Sequence, residues 1–170
     1  MRVLYEGAIF QMLRCGGVSR CFSEIIQRLP FDIDPVVIGP MDQPDSLNYP
    51  HIDYQRVQTE PPVSWLRKWT RERMQRQVAD RFGAVQADLE LWTYYNGLCR
   101  RPIQRSDRPL VVTVLDFVHE AFPSLDRTGK HVSIKKEAVQ AADHLICISK
   151  STHRELSQSF PFARDKASVI

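Results

Sequence analysis

The chain has 170 residues, which is enough for one domain with a sizeable hydrophobic core. Its 43% hydrophobic and 25% charged residues are typical of globular proteins and exclude collagen-like, coiled-coil and wholly disordered chains. The net charge of +3 is too small to indicate a nucleic-acid-binding protein. The sequence contains no run of about 18 apolar residues, so it predicts no transmembrane helix. The opening letters MRVLYE reach a carboxylate too early for a signal peptide, so we expect a cytoplasmic protein.

The first third of the chain predicts strands and a helix in alternation. Residues 2–6 form a short apolar strand, and a polar stretch leads from there to Gly16 and Gly17. The following residues predict an amphipathic helix, which Pro30 ends. Its apolar positions, three or four residues apart, are Val18, Phe22, Ile25 and Leu29. Residues 34–39 and 51–57 predict two further strands.

A basic helix is predicted between the prolines at 61–62 and Phe82. From Trp65 to Arg81 it carries six basic and two acidic side chains, a local charge of +4. This pattern fits a solvated helix face, a surface that docks on an anionic bilayer, or a nucleic-acid contact; no recognisable module supports the last. Tryptophan beside arginine and lysine is typical of membrane interfaces. The residues that would contact the membrane are Trp65, Arg67, Lys68 and Trp69.

The second half of the chain continues the alternation. Strands are predicted over residues 88–95, 110–115, 144–148 and 167–170, and the second is a continuous apolar run, as in a central parallel strand. A helix is predicted over residues 130–143, with Ile134, Ala138, Ala141 and Ala142 on one side. Another opens with a capping box of Thr152 and Glu155, and Ser149, Ser151 and Thr152 are all predicted to be caps. We therefore predict an α/β, Rossmann-like three-layer domain, with a mostly parallel sheet and helices on both faces.

Ligands of such sheets bind outside the carboxyl ends of the strands, where the first candidate is a glycine pair. Gly16 and Gly17 precede a helix, and their amides together with the helix dipole favour an anion. A tight strand-to-helix turn is the alternative interpretation. The spacing matches neither a P-loop nor the nicotinamide-dinucleotide fingerprint, which disfavours a dehydrogenase.

Two more candidates follow later strands. Asp116, His119 and Glu120 come after the apolar strand, where carboxylates and an imidazole can bind hydroxyls or move protons. The alternative is that Asp116 caps a turn and His119 is a surface side chain. Tyr94 and Asn96 offer an aromatic face and an amide to a sugar, although buried tyrosines give the same local pattern.

The four cysteines predict neither a metal site nor a disulfide scaffold. Cys15, Cys21, Cys99 and Cys147 contain no Cys-x-x-Cys pair, and no nearby histidine has zinc-ligand spacing. Cys147 lies in an apolar run and is predicted to be a buried thiol.

Four segments, in order, resemble the N-terminal half of a GT-B glycosyltransferase of the retaining GT4 family. Residues 16–29, GGVSRCFSEIIQRL, resemble the family's Gly-Gly-Ile/Val loop and first helix. Residues 92–96, WTYYN, resemble the end of a strand that usually reads HPTYY. Residues 112–123, VTVLDFVHEAFP, resemble VTxHDxxHExxP, and residues 142–152, ADHLICISKST, resemble ADxIIxxSxxT. The matches run over nearly the whole chain.

The resemblance implies one half of a two-domain enzyme whose domains face each other across a cleft. The N-terminal domain would mainly hold a glycan or lipid-linked acceptor, and a C-terminal domain would bind the nucleotide-sugar, with retention and without a metal or other cofactor. The amides of Gly16 and Gly17 would then lie near the donor phosphates. Asp116 and His119 are the expected catalytic residues. Tyr94, Asn96 and Glu120 are expected to bind the acceptor.

Two positions depart from the family pattern. Leu115 and Leu91 stand where the family has histidines, so an imidazole that could touch the transferred sugar is missing, which implies a different catalytic arrangement or a different sugar. The family's donor motif has no match within the 170 residues, so we expect residues 1–170 to be the N-terminal domain alone and inactive without its partner domain. The alternative is a stand-alone α/β binding or regulatory module.

Overall fold

The computed structural model describes residues 1–12, 16–39, 42–57, 67–95 and 107–170, except for the side chains of residues 11, 12 and 67–75. Within this part, seven strands form one sheet in the order β3-β2-β1-β4-β5-β6-β7. They are β1 (Arg2–Glu6), β2 (Asp34–Gly39), β3 (Asp53–Arg56), β4 (Leu89–Trp92), β5 (Leu110–Val114), β6 (His144–Cys147) and β7 (Ala167–Val169). All neighbouring strands are parallel, which confirms the predicted Rossmann-like α/β class.

The described residues also form six α-helices. They are α1 (Ala8–Met12), α2 (Gly17–Gln27), α3 (Arg67–Ala84), α4 (Val118–Ala121), α5 (Lys130–Ala141) and α6 (Lys150–Ser159). Short 3-10 helices occupy Asp45–Leu47, Pro123–Leu125 and Pro161–Lys166. In this part of the chain, no helix has the length and apolar character that crossing a bilayer requires.

Helices cover both faces of the sheet, as predicted. Phe22 of α2 shares a buried cluster with Val3, whereas Phe82 of α3 shares another with Leu4. Because Val3 and Leu4 are neighbours on β1, their side chains point to opposite faces, and so α2 and α3 lie on opposite sides of the sheet. The third cluster packs α5 and α6 against β5 and β6. The strand register pairs Leu4 with Glu90 and Glu90 with Leu110, so Leu110, the β5 residue of this third cluster, faces the same side of the sheet as α3.

Two predicted helix faces are wrong in detail. In each helix the buried face includes a polar residue, which a pattern of apolar positions alone leaves out. In α2, Ile26 is buried and Ile25 is exposed. The stripe also includes Ser23, whose hydroxyl is 2.9 Å from that of Ser46 and is therefore satisfied. In α5, the buried side chains are Lys135, Ala138 and Val139, whereas Ile134 and Ala141 are only partly buried.

Two helix starts also differ from the prediction. The N-cap of α6 is Ser149 and not Thr152, because the Ser149 hydroxyl accepts a hydrogen bond from the Thr152 amide at 3.0 Å. The stretch after β1 is not a polar connection but helix α1, with Ala8, Ile9 and Phe10 buried.

The prediction for Cys147 is confirmed. Its side chain is buried in β6, and burial raises the pKa of its thiol. Cys21 is an exposed free thiol on α2, and Cys15 and Cys99 lie outside the described residues.

Hydrogen bonds join the carboxyl ends of three strands. The Thr93 hydroxyl, just after β4, donates to the carbonyl of Glu6 at the end of β1 (2.7 Å). The Leu115 amide, just after β5, donates to the Tyr95 hydroxyl (2.8 Å). The Leu115 carbonyl accepts from the Thr152 hydroxyl in the first turn of α6 (3.4 Å). These bonds connect the starts of the loops that follow the strands at this edge of the sheet.

Candidate functional site

The glycine pair opens α2 at the carboxyl edge of the sheet. Since β1 and β2 are parallel, α2 runs back along the sheet and begins where the strands end. Gly16 is the N-cap with extended backbone, and its amide donates to the Ser19 hydroxyl (3.2 Å). At Gly17, no atom of the described residues stands within 4 Å of where a Cβ would lie. Among the described residues, none crowds Gly17 in the first turn, and first-turn amides lack partners within their own helix.

Among the described residues, the loop after β5 and helix α4 place three ionisable side chains at this edge. The Asp116 carboxylate is exposed and accepts a hydrogen bond from the Val118 amide (3.1 Å), which starts helix α4. His119 and Glu120 follow on α4 and are partly buried. Topology thus places Asp116 and the glycine pair at the same edge, at the ends of different strands.

Lys135 of α5 lies beneath this loop and is fully buried. Its ammonium donates to the Asp116 carbonyl (2.8 Å) and to Glu120 Oε2 (2.7 Å). It also stands 4.7 Å from the centre of the Phe117 ring and 5.2 Å from that of Tyr95, both within cation–π range. The charge of Lys135 is therefore balanced by one carboxylate, one carbonyl and two aromatic faces.

A second residue of α5, His131, lies among the predicted site residues. Its ring stacks on that of His119 with 3.7 Å between centroids. Its Nε2 atom is 2.7 Å from the Tyr94 hydroxyl, so the two share a hydrogen bond. The structure thus brings Tyr94, His119 and His131 into direct contact.

Burial and neighbouring charges shift the pKa values of this group. Burial lowers the pKa of His131, and the positive charges of His119 and Lys135 lower it further, against the opposing pull of Glu120 and Asp126. Burial, followed by the Asp116 charge, raises the pKa of Tyr94. A neutral imidazole and a protonated phenol are therefore favoured near neutral pH, so the Tyr94 hydroxyl can donate to His131.

The loop that leads into α5 is itself held in place. Asp126 accepts from the Val132 amide at 3.0 Å, and this hydrogen bond is the main reason why the pKa of its carboxyl is lowered. Gly129 precedes the helix with φ of +65°, a left-handed conformation that favours glycine. These two residues orient the first turn of α5, which carries His131.

Three polar atoms of the cluster are buried without a hydrogen-bond partner among the described residues. They are Nδ1 of His119, Nδ1 of His131 and Oε1 of Glu120. Buried polar groups are usually paired, so unsatisfied ones are typical of sites that bind or react. The arrangement offers hydrogen-bond donors and acceptors, a carboxylate and aromatic faces, which is the chemistry that recognises hydroxyl-rich molecules.

The remaining predicted positions lie away from this cluster or outside the described residues. Asn96 and Trp65 fall outside them. Arg67, Lys68 and Trp69 lie in the first turn of α3, with side chains that are not described. Within the described part of the chain, no three His, Cys, Asp or Glu side chains are grouped so as to hold a metal ion.

Sequence reasoning missed His131 and Lys135, although a signal for both exists. Ala138, Val139 and Ala142 are buried at helical spacing, and the same stripe continues backwards to Lys135 and His131. A lysine on the buried stripe of a helix needs a partner, because an unpaired charge is very costly to bury. The stripe thus pointed to a polar contact at the start of α5.

Comparison with known proteins places the chain in a family. The model of Glycosyltransferase Family 4 matches residues 15–170, which is most of the chain. No curated protein matches the sequence. The matched residues include the glycine pair, the loop after β5 and the first turn of α6. The chain therefore belongs to glycosyltransferase family 4 and is a glycosyltransferase-type N-terminal domain with a parallel α/β fold.

Proposed function

We propose that this domain forms the acceptor side of an enzyme that transfers a sugar from a nucleotide-sugar to a glycan or lipid-linked acceptor, with retention of configuration. The observation that supports this most is the clustering of Tyr94, Asp116, His119 and Glu120 at the carboxyl edge. Ligands of open α/β sheets bind at this edge. Membership of the glycosyltransferase family supports a sugar hydroxyl as the group that this cluster recognises.

The chemistry of the cluster fits an acceptor hydroxyl. The exposed Asp116 carboxylate can accept its hydrogen bond and draw electron density towards the attacking oxygen. His119 and Tyr94 add one imidazole and one aromatic ring to the cluster, where both contact His131. We assign hydroxyl recognition to Asp116 and His119, and acceptor positioning to Tyr94, Asn96 and Glu120.

The donor phosphates belong, in this proposal, at the N-terminus of α2. The amides of its first turn and the helix dipole favour negative charge, and no atom of the part of the chain that the structure describes crowds Gly17. A second domain, which binds the nucleotide, would complete the electrostatic pocket for the leaving group. We therefore propose that residues 1–170 alone do not catalyse transfer and that no metal is needed.

The surface beside the cluster favours a lipid-linked acceptor over a purely hydrophilic one. Three large apolar side chains are exposed in this region: Val118 on α4, Phe122 between α4 and the next 3-10 helix, and Leu125 on that 3-10 helix. They adjoin His119 and Glu120 along the chain. Exposed apolar patches at a binding site usually contact an apolar part of the ligand.

The decisive experiment is transfer by the complete enzyme with a panel of nucleotide-sugars. We expect Asp116→Ala and Asp116→Asn to lower kcat/KM by about 10–100-fold, the effect of removing one group that handles the reacting hydroxyl. The asparagine variant keeps an acceptor for the Val118 amide, so it separates loss of charge from loss of the turn. Asp165→Ala, a distant exposed aspartate, is the matched control. Unchanged turnover in both Asp116 variants would exclude this role.

Peripheral docking at the cytosolic face of a membrane is a separate part of the proposal. The basic segment with Trp65, Arg67, Lys68 and Trp69 has the composition of an interfacial helix. A Trp65→Ala/Trp69→Ala variant should bind vesicles that contain phosphatidylglycerol about tenfold more weakly, since both anchors are lost. Phe31→Ala removes an exposed aromatic ring elsewhere and serves as the control. Equal binding by the double variant and the control would rule out this docking surface.

A stand-alone binding module is the alternative function. It would bind a nucleotide-sugar or glycan without turnover, whereas the proposed enzyme turns over its donor once both domains are present. Titration of the complete protein with nucleotide-sugars, followed by product analysis, separates the two. Binding without any product would favour the module.

A further inference from the structure

Lys135 has an environment that an ordinary surface lysine lacks. Its side chain is 0% exposed, and its ammonium contacts both ends of residues 116–120, the turn that follows β5 and includes most of α4. One contact is the backbone carbonyl of Asp116, and the other is the carboxylate of Glu120, four residues later. One buried cation therefore fixes the two ends of the segment that carries the proposed acceptor groups.

The energetics argue that this contact controls conformation more than stability. Burying a lysine and a carboxylate costs several kcal/mol per ion in desolvation, which their attraction roughly offsets. An apolar pair in the same space would stabilise the fold as well or better. The buried pair nevertheless restricts the turn, because any other arrangement of residues 116–120 would leave the ammonium without its partners.

We infer that Lys135 is a positioning residue for the acceptor site. It holds the Asp116 backbone and the Glu120 side chain in place without meeting the acceptor itself, since it is fully buried. This inference rests on the proposed function where it concerns the acceptor. The hold of Lys135 on the turn concerns the domain alone and can be measured without any substrate.

Amide hydrogen exchange on the 170-residue chain tests the hold on the turn. The amides of Ala121 and Phe122 donate to the carbonyls of Phe117 and Val118, so they report on the turn and α4. Lys135→Met should speed their exchange by about tenfold or more, while amides of β1 and β2 keep their rates. Lys136→Met, which removes the exposed neighbouring lysine, should change neither set.

Two outcomes would overturn the hold on the turn. One is unchanged exchange at Ala121 and Phe122 in Lys135→Met, and the other is an equal increase along the whole chain, which indicates general destabilisation. If Lys135→Met does not fold, Lys135→Met/Glu120→Gln removes the uncompensated carboxylate charge. The double variant should then show the same local acceleration, and its absence contradicts the inference.

Steady-state kinetics of the complete enzyme test the link to the acceptor. With an octyl glycoside as the acceptor probe, Lys135→Met should raise the acceptor KM about tenfold and leave the KM of the nucleotide-sugar unchanged, as expected when only acceptor positioning is lost. Faster exchange of the turn with an unchanged acceptor KM would refute the positioning role. If the wild-type enzyme transfers no sugar, the proposed function fails, and the exchange comparison still decides whether Lys135 holds the turn.

Discussion

Replacing Tyr95 by phenylalanine tests how the ends of β4 and β5 are joined. Tyr95 is 3% exposed, and its hydroxyl accepts the Leu115 amide at 2.8 Å. Burial raises the pKa of this hydroxyl, so it stays protonated at ordinary pH. Phenylalanine keeps the ring and its packing and removes the hydroxyl, which interacts with the backbone of Leu115 and of Asp116. The change therefore removes the polar contacts of Tyr95 with the start of the loop after β5, at the base of the candidate site.

The magnitude follows from what the Leu115 amide loses. A buried donor that is left without a partner costs about 1–3 kcal/mol. Tyr95→Phe also removes a hydroxyl that was itself costly to bury, which offsets part of this loss. We therefore expect the free energy of unfolding to fall by about 1–2 kcal/mol. For a domain of this size that corresponds to a Tm lower by about 2–8 °C.

Urea unfolding and thermal unfolding of the 170-residue chain provide the assay. The urea midpoint should fall while the slope of the transition stays constant, because the native fold is retained. Tyr49→Phe, at a 43% exposed tyrosine, should leave both measurements unchanged. If Tyr95→Phe is as stable as Tyr49→Phe, the hydrogen bond between the two strand ends does not contribute to stability, and the reasoning is refuted.

Three further predictions concern pH, a helix cap and a close backbone approach. Because the pKa of His131 is lowered in the folded state, the unfolded state binds more protons at this residue. The contribution of His131 to the free energy of unfolding should therefore fall as the pH drops below about 6.5. His131→Asn should weaken that pH dependence in urea titrations. Ser149→Ala should cost about 0.5–2 kcal/mol by removing the N-cap of α6, whereas Ser151→Ala should cost almost nothing in the same denaturation assay. Gly7→Ala should lower the free energy of unfolding by about 1–3 kcal/mol, because the new Cβ would lie 2.8 Å from a backbone carbonyl oxygen of β2. Gly83→Ala on α3, where no described atom crowds the new Cβ, should raise the free energy of unfolding by up to about 1 kcal/mol in the same urea assay.

Most of the β-strands could be predicted because they are short apolar runs with a clear end, whereas β3, with the sequence DYQR, is largely polar and only partly buried. The run before Asp116 is apolar at nearly every position, and all five residues of β5 are buried. A strand covered on both faces has this pattern regardless of what packs on it. The motif order then placed the chain in its family, which the family match confirms.

The helix faces were harder to predict, since burial of a polar residue depends on its partner. Ser23 can be buried because its hydroxyl meets that of Ser46, which lies 23 residues away in the 3-10 helix Asp45–Leu47. The spacing of the apolar residues therefore predicted a buried Ile25, which is exposed in the structure. The N-cap of α6 was misplaced for a similar reason, because both Ser149 and Thr152 are good caps and only the backbone geometry separates them.

The sequence alone determined the α/β class, the strands and the residues that follow them, because hydrophobic periodicity and strand ends are local properties. It also identified Tyr94, Asp116, His119 and Glu120 as candidates. Only the tertiary structure showed that α5 places His131 against Tyr94 and His119 and buries Lys135 under the turn. These contacts join residues 12 to 37 positions apart, so they arise from the way α5 folds back over the sheet and not from any local pattern.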